Sequence, residues 1–298
     1  MPTLIPAYPT DLQPYLSAVQ DFPALFAPRT ADSHKGSYGT LAVIGGCSGM
    51  SGAIVLAAST ALYNGCGKVW AGFRQPSLPM PLIPERPEIM LATADVLLKR
   101  SDITAWVCGC GFGVGDGAAE TLAAQLQSAN GQPLLLDADA LNLLAQHPHL
   151  SAAAQAHKQL VLTPHPAEAA RLLSCRTADI QADRAAAVHQ LAEQYQAIVV
   201  LKGHHTLVAA PQQAIYTNLS GNPGLATAGS GDVLSGLIGS LLAQGIPAWQ
   251  AVCGGVWLHG AAADVLRDAQ VGEIGLLAGE IAAAARWLRN QLIRQTTS

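Results

Sequence analysis

The sequence predicts an α/β fold: a central, mostly parallel sheet with helices on both faces, built as a single domain. Two observations carry this. Short apolar runs closed by glycine or a polar residue recur along the chain and alternate with helix-length segments, the pattern of strands joined by crossover helices. The runs are apolar at successive positions, so both faces of each strand are buried, as in a parallel sheet. The 298 residues suit one large domain or two small ones, and no repeat, low-complexity tract or linker divides them.

Residues 1–33 read as an irregular, proline-rich N-terminal extension with one short helix inside 11–20, and 34–298 as the domain. Thr40–Gly46 is the first strand. A helix follows from the glycine-rich turn at 48–53 to about Asn64, where Gly65 ends it. Gly67–Phe73 is a strand and 75–88 a proline-rich loop. Ala105–Gly111 runs as a strand into glycines at 109, 111, 113, 115 and 117. Pro133–Asp137 and Gln159–Thr163 are strands that each lead into a helix, the second helix continuing to about Gln196. Ala197–Gly203 is a central strand, Leu207–Ala210 and Ala214–Thr217 form a hairpin, and two long helices and a last one from about 277 complete the chain.

Composition excludes several classes. The net charge is -4, which offers no nucleic-acid surface. Charged residues make up 12%, half of the roughly 25% of an average soluble protein. Apolar surface is therefore expected to be covered in a homo-oligomer. None of the six cysteines forms a C-x-x-C pair, so neither zinc nor a redox pair is signalled, and a reduced cytoplasmic protein is the simplest reading. The N-terminus has neither a signal-peptide nor a basic transit pattern. Val233–Ala263 lacks any Asp, Glu, Lys or Arg, but Gly245-Ile246-Pro247 splits the run into two buried helices, not a membrane span.

The chemistry concentrates at Asn218–Gly236. Gly229-Ser230-Gly231-Asp232 opens an apolar helix. Such a turn leaves backbone amides unpartnered at the positive end of a helix dipole, which makes an anion site. A carboxylate there either caps the helix or takes a proton from an incoming nucleophile. Elsewhere, Gly46, Gly49 and Gly52 lack the G-x-G-x-x-G spacing and have no acid before Glu85, and Lys68 precedes Val69, so no Walker A loop exists. Gly113, Gly115 and Ala118, with Asp137 following, offer a dinucleotide fingerprint, although counting from Gly109 puts Val114 at the third position. Asp139 reads as a helix cap, His165 as a turn residue and Glu168 as a first-turn carboxylate. His204 and His205 are adjacent in a turn and expected to point apart, against a metal site.

Asn218, Gly221, Asn222, Gly224, Ala226, Gly229, Gly231 and Asp232 together resemble the C-terminal signature of the ribokinase-like superfamily. Within it the chain is most similar to the NAD(P)H-hydrate dehydratases, over about residues 34–290, with Cys110 where the family's G-P-G-x-G block has proline and with the dehydratase motif at Thr163-Pro164-His165-Pro166-Ala167-Glu168. The resemblance implies Asp232 as catalytic base and Gly229 and Gly231 as the anion hole. It implies Ala53, Gly111, Asp137, Asn142, His165 and Asp232 at the hydrate. It also implies Lys202, Gly203, His204, His205 and Thr206, with Asn218, Asn222 and Gly231, at an adenine nucleotide, and Glu168 organising Mg2+ through water. The implied reaction restores NADH or NADPH from the S epimer of its C6 hydrate with ADP or ATP, in a cytoplasmic homotetramer. Two rivals remain: a kinase of the same fold acting on a thiazole- or pyridoxal-type alcohol, which the T-P-H-P-A-E turn disfavours, and a Rossmann-type NAD-binding protein.

Overall fold

The sheet is assembled from residues that alternate between two apolar cores. The computed structural model describes residues 8–129, 131–269 and 271–297. Its strands are β1 (Thr40–Gly45), β2 (Lys68–Phe73), β3 (Met90–Thr93), β4 (Ala105–Cys108), β5 (Leu134–Leu136), β6 (Leu160–Leu162), β7 (Ile198–Leu201), β8 (Leu207–Ala209) and β9 (Tyr216–Thr217). Among the described residues they form one sheet in the order β3-β2-β1-β4-β5-β6-β7-β8-β9, parallel from β3 to β7 and antiparallel through the β7–β8–β9 hairpin. Along β1, Leu41 and Val43 join one core while Ala42 and Ile44 join the other, which is why the strand is apolar at every position.

The helices are α1 (Ser17–Asp21), α2 (Ser51–Tyr63), α3 (Ala94–Leu97), α4 (Ala118–Ser128), α5 (Ala138–Gln146), α6 (Pro148–Gln155), α7 (Pro166–Leu172), α8 (Thr177–Ala182), α9 (Arg184–Tyr195), α10 (Ser230–Ala243), α11 (Ala248–Asp268) and α12 (Ala278–Thr297). α2, α10, α11 and α12 bury Ile54, Leu237, Leu258 and Ile281 on one face; α4, α5, α7 and α9 bury Leu122, Leu141, Ala169 and Leu191 on the other. The crossover helix α2 and the crossover helix α4 thus lie on opposite faces. The crevice between the carboxyl ends of β1 and β4 is the switch point where open α/β sheets bind ligands.

α10 reaches this edge because it lies directly on α2. A Cβ on Gly236 would meet the Ala57 carbonyl oxygen at 2.1 Å, so glycine sets how closely the two helices approach. No helix among the described residues is long and apolar enough to cross a membrane. All six cysteines are free.

The structure departs from the sequence reading in three places. The proline-rich loop is followed by β3 and α3, which the reading passed over; β3 is a four-residue edge strand. The helix expected to reach Gln196 is three helices, broken where Ser174 turns left-handed (φ 53°) and where Asp183 caps α9 through the Ala186 amide at 2.9 Å. The described part of the extension belongs to the main core: Phe22 and Phe26 pack on Trp257 of α11, and Arg289 of α12 donates to the Leu25 carbonyl at 2.9 Å.

Candidate active site

The site is built where the turns after β1, β4, β5, β6 and β7 meet the N-terminus of α10. Gly229 takes a left-handed φ of 87°, and a Cβ there would lie 2.4 Å from Leu56 Cδ1. Only glycine fits that turn, which leaves the first-turn amides of Gly231 and Asp232 without intrahelical acceptors. Asp232 follows on the same turn. Burial raises its carboxyl from 3.8 to about 6; the nearby Cys110 thiol and the Lys202 ammonium oppose this, and Asp137 and Asp139 add to it.

Asp137 ends β5 and is 2% exposed. Its Oδ1 accepts from Lys202 Nζ at 2.6 Å and its Oδ2 from Ser235 Oγ at 2.8 Å. Gly109 lies so close that a Cβ would sit 1.8 Å from the Asp137 carbonyl oxygen. The sequence had placed Asp137 and Lys202 in separate subsites; the fold makes them one ion pair. Lys202 is also 3.9 Å from Glu168 Oε2. Burial pulls the Lys202 ammonium down, Asp137 and Glu168 more than offset it, and the net direction is up. Asp137 is buried and turned inward to Lys202 and Ser235, so the dinucleotide reading of Gly113, Gly115 and Ala118 loses its exposed acid. Asp139 does not cap a helix through its side chain as expected: its Oδ2 accepts from the Gly113 amide at 2.7 Å and fastens the glycine loop.

His165 and Glu168 form a reciprocal cap at α7. His165 Nδ1 accepts from the Ala167 and Glu168 amides at 3.1 and 3.4 Å, and Glu168 Oε2 from the His165 amide at 2.8 Å. Burial, Lys202 and Arg171 hold His165 below its ordinary value despite Asp137, so the ring is neutral at pH 7. Burial raises Glu168. Gly111, at φ 56°, packs on α2: a Cβ would lie 2.7 Å from the Met50 carbonyl and 3.0 Å from Ala53 Cβ, so Ala53 and Gly111 are neighbours. Asn142 instead engages Arg171 Nη1 at 2.8 Å.

A cavity of about 730 Å³ opens beside this turn, bordered by Lys202, Thr206, Asn218, Asn222, Gly231 and His259. Gly203, His204 and His205 also border it. The two histidine rings do not point apart; they lie against each other, tilted by 30° with centroids 3.8 Å apart, and His205 takes a left-handed φ of 52°. Asn218 and Asn222 spend their side chains on the loop itself. Asn218 Oδ1 accepts from Ser220 Oγ at 2.9 Å, and Asn222 donates to Asp264 at 3.0 Å and caps Gly224 at 3.0 Å.

A family model described as NAD(P)H-hydrate dehydratase matches residues 41–285. The chain belongs to the NAD(P)H-hydrate dehydratase family. It is 60% identical over 273 residues to the ADP-dependent (S)-NAD(P)H-hydrate dehydratase of Neisseria meningitidis serogroup B, covering 92% of each chain. Among solved structures it is similar to a ribokinase-like superfamily protein of Enterococcus faecalis (26% identity, TM-score 0.80, 91% of this chain and 94% of that one). It is also similar to the ADP/ATP-dependent NAD(P)H-hydrate dehydratase of Bacillus subtilis co-crystallised with ATP/Mg2+ (28%, TM-score 0.76, 89% and 94%). The chain spans about half the length of the bifunctional NAD(P)H-hydrate repair enzymes it matches, 53% of the Coxiella burnetii one.

Within this dehydratase-family site, sequence reasoning missed the residues that hold the loops. Asp264 accepts from the Gly221 amide at 2.7 Å; as the first charge after the uncharged run it could have been singled out. Arg184 donates to the Leu201 and Lys202 carbonyls at 3.2 and 3.4 Å. His259 donates from Nε2 to the Ser230 carbonyl at 3.0 Å, and burial pushes it down to about 4, so it is neutral.

Proposed function

We propose that the protein dehydrates the S epimer of C6-hydrated NADH and NADPH, with ADP as phosphate donor. One observation carries this reading: a carboxylate raised to about 6, Asp232, follows directly on Gly231, whose amide has no intrahelical acceptor and which borders the 730 Å³ cavity. A base poised near neutral pH and an anion hole are what phosphoryl transfer to a hydroxyl requires. The 60% identity to an ADP-dependent (S)-NAD(P)H-hydrate dehydratase supports the substrate and donor.

Asp232 takes the proton of the C6 hydroxyl, and the oxygen attacks the terminal phosphorus of ADP as AMP departs. The amides that the Gly229–Gly231 turn leaves free, those of Gly231 and Asp232, stabilise the charge on the transferring phosphoryl group. The ring nitrogen then expels phosphate, and transfer of the C5 proton to the departing phosphate or to water restores the dihydronicotinamide. Ala53 and Gly111 would line the hydrate's nicotinamide end, with His165 and Asn142 beside it. Lys202–Thr206 would face the phosphates and sugar, Asn218 and Asn222 shaping that wall. The Asp137–Lys202 pair keeps a buried cation at the phosphate side.

Magnesium takes oxygen ligands, keeps several waters and is held by one or two carboxylates plus substrate phosphates. Glu168, 5% exposed, offers one such carboxylate, and no group of three or more His, Cys, Asp or Glu among the described residues is arranged to hold a metal. These residues fit magnesium carried by the nucleotide and reached through water from Glu168. When bound it would neutralise phosphate charge.

The test is the return of NADH absorbance from hydrated NADH with ADP, or ATP, and magnesium. Phosphorylation of a thiazole or pyridoxal alcohol in place of that return would favour the kinase. For the hydrate subsite, His165→Asn keeps a residue that caps helices well. The expected result is an unchanged melting temperature and a KM for the hydrate raised more than that for ADP. Equal changes in both would return His165 to the cap alone. Leu219, Ile274 and Leu277 are exposed apolar residues near the signature loop, which supports assembly into a homotetramer. Light scattering should give a mass above the 30.8 kDa of one chain.

A further inference from the structure

His259 stands on α11 at the wall of the nucleotide cavity and is buried. Its Nε2 bonds the Ser230 carbonyl at 3.0 Å, and a carbonyl can only accept, so the single proton of the neutral ring sits on Nε2. As the first residue of α10, Ser230 offers that oxygen to the amide four residues on, so the oxygen is satisfied without His259. The Ser230 amide donates to the Thr227 carbonyl at 3.4 Å, whereas the next amide, that of Gly231, has no protein acceptor among the described residues. That amide belongs to the same peptide unit as the Ser230 carbonyl. In a planar trans peptide the two point in opposite directions. A bond that holds the carbonyl therefore sets the direction of the Gly231 N–H.

The histidine itself stands on a fixed frame. A Cβ on Gly255 would lie 2.8 Å from Ile238 Cγ1, so α11 runs against α10 with no space to spare. A Cβ on Gly260 would lie 2.3 Å from Ser220 Oγ, and Asp264, one turn further, accepts from the Gly221 amide at 2.7 Å. Before His259, α11 is thus fastened to α10; after it, to the signature loop.

We propose that His259 is a positioning residue for the anion hole: by holding the Ser230 carbonyl it aims the Gly231 amide, across the same peptide plane, at the terminal phosphate of the nucleotide. Gly231 borders the cavity, and a Cβ there would lie 3.7 Å from Lys202 Nζ, so this peptide stands beside the buried cation at the phosphate side. The bond also polarises the peptide: an oxygen that accepts a further hydrogen bond makes its own N–H a better donor. Burial pushes the His259 ring down to about 4, so it brings no charge to the cavity and its effect on phosphate runs through the peptide. A histidine that only filled the core would not distinguish one phosphate of a nucleotide from another.

The identity of the anion rests on the dehydratase reading, but the positioning can be tested without the hydrate. Affinities for ADP and AMP, measured by titration calorimetry with magnesium, separate the two roles of His259, because AMP lacks the phosphate that would reach the Gly231 amide. His259→Leu fills much of the same space and removes the donor. It is expected to weaken ADP about 5- to 10-fold, the worth of one hydrogen bond, and to leave AMP within about two-fold. In turnover, kcat should fall about 10- to 100-fold, less than deleting an oxyanion donor outright. His259→Gln, whose amide nitrogen reaches about as far as Nε2, should restore both. The calorimetric stoichiometry counts folded sites, so a variant that folds poorly still yields its affinities. Equal weakening of ADP and AMP, an unchanged ADP affinity, or Leu and Gln behaving alike overturns the proposal. An ADP-specific loss in a protein that fails to restore NADH would refute the dehydratase reading and leave the coupling of His259 to the Gly231 amide standing.

Discussion

Asp232→Asn should lower kcat by roughly 10²–10⁴-fold, the usual cost of losing a general base, while the protein folds and binds ADP as before. The same variant should melt higher at pH 8 than the parent. Burial raises the Asp232 carboxyl from 3.8 to about 6. A raised carboxyl binds its proton more tightly in the folded state, so folding is penalised by ionisation. Below about pH 4 both states are protonated and there is no penalty. It grows between about 4 and 6 and is constant above. At about 1.4 kcal/mol per unit the ceiling is roughly 3 kcal/mol, and Asn removes it only above that window. Parent and variant should therefore melt alike at pH 4 and diverge by pH 8. Gly229, not Asp232, is the N-cap of α10 and no side chain caps it; if the Asp232 carboxylate only complements the helix dipole, turnover would survive in Asn. Near-normal kcat would sink the mechanism.

The strands and long helices were legible because burial on both faces forces continuous apolar runs, as in Leu41–Ile44 and Val199–Leu201. β3 was not, because a four-residue edge strand that is partly exposed carries no such run. The turn at Gly229–Asp232 was legible because a helix entry that leaves no room for a Cβ can only be glycine. What local sequence does not carry is pairing across distance. Lys202 and Asp137 are 65 residues apart, and nothing near either announces the other. The histidine pair was misjudged: neighbours were assumed to diverge, but His205 takes a left-handed backbone and the rings lie against each other.

That long-range pair gives the largest stability effect. Asp137→Ala should destabilise the protein by about 3–5 kcal/mol, because it leaves the Lys202 ammonium buried with Glu168 as its remaining acid. For a chain of this size that is roughly a 10 °C fall in melting temperature. Ser235 loses its acceptor too, which adds to the loss. Lys202→Met should also destabilise, by stranding Asp137. The decisive variant carries both changes. With neither charge left in the interior, it should be more stable than the Asp137→Ala single, as expected when a buried ion pair gives way to apolar groups. It should still turn over poorly, because the cation at the phosphate side is gone. Loss of the Asp137 charge also lowers Asp232, so residual activity in Asp137→Ala should extend to more acidic pH than in the parent. If the two single costs simply add in the double variant, the residues are independent and the ion pair does not organise the site.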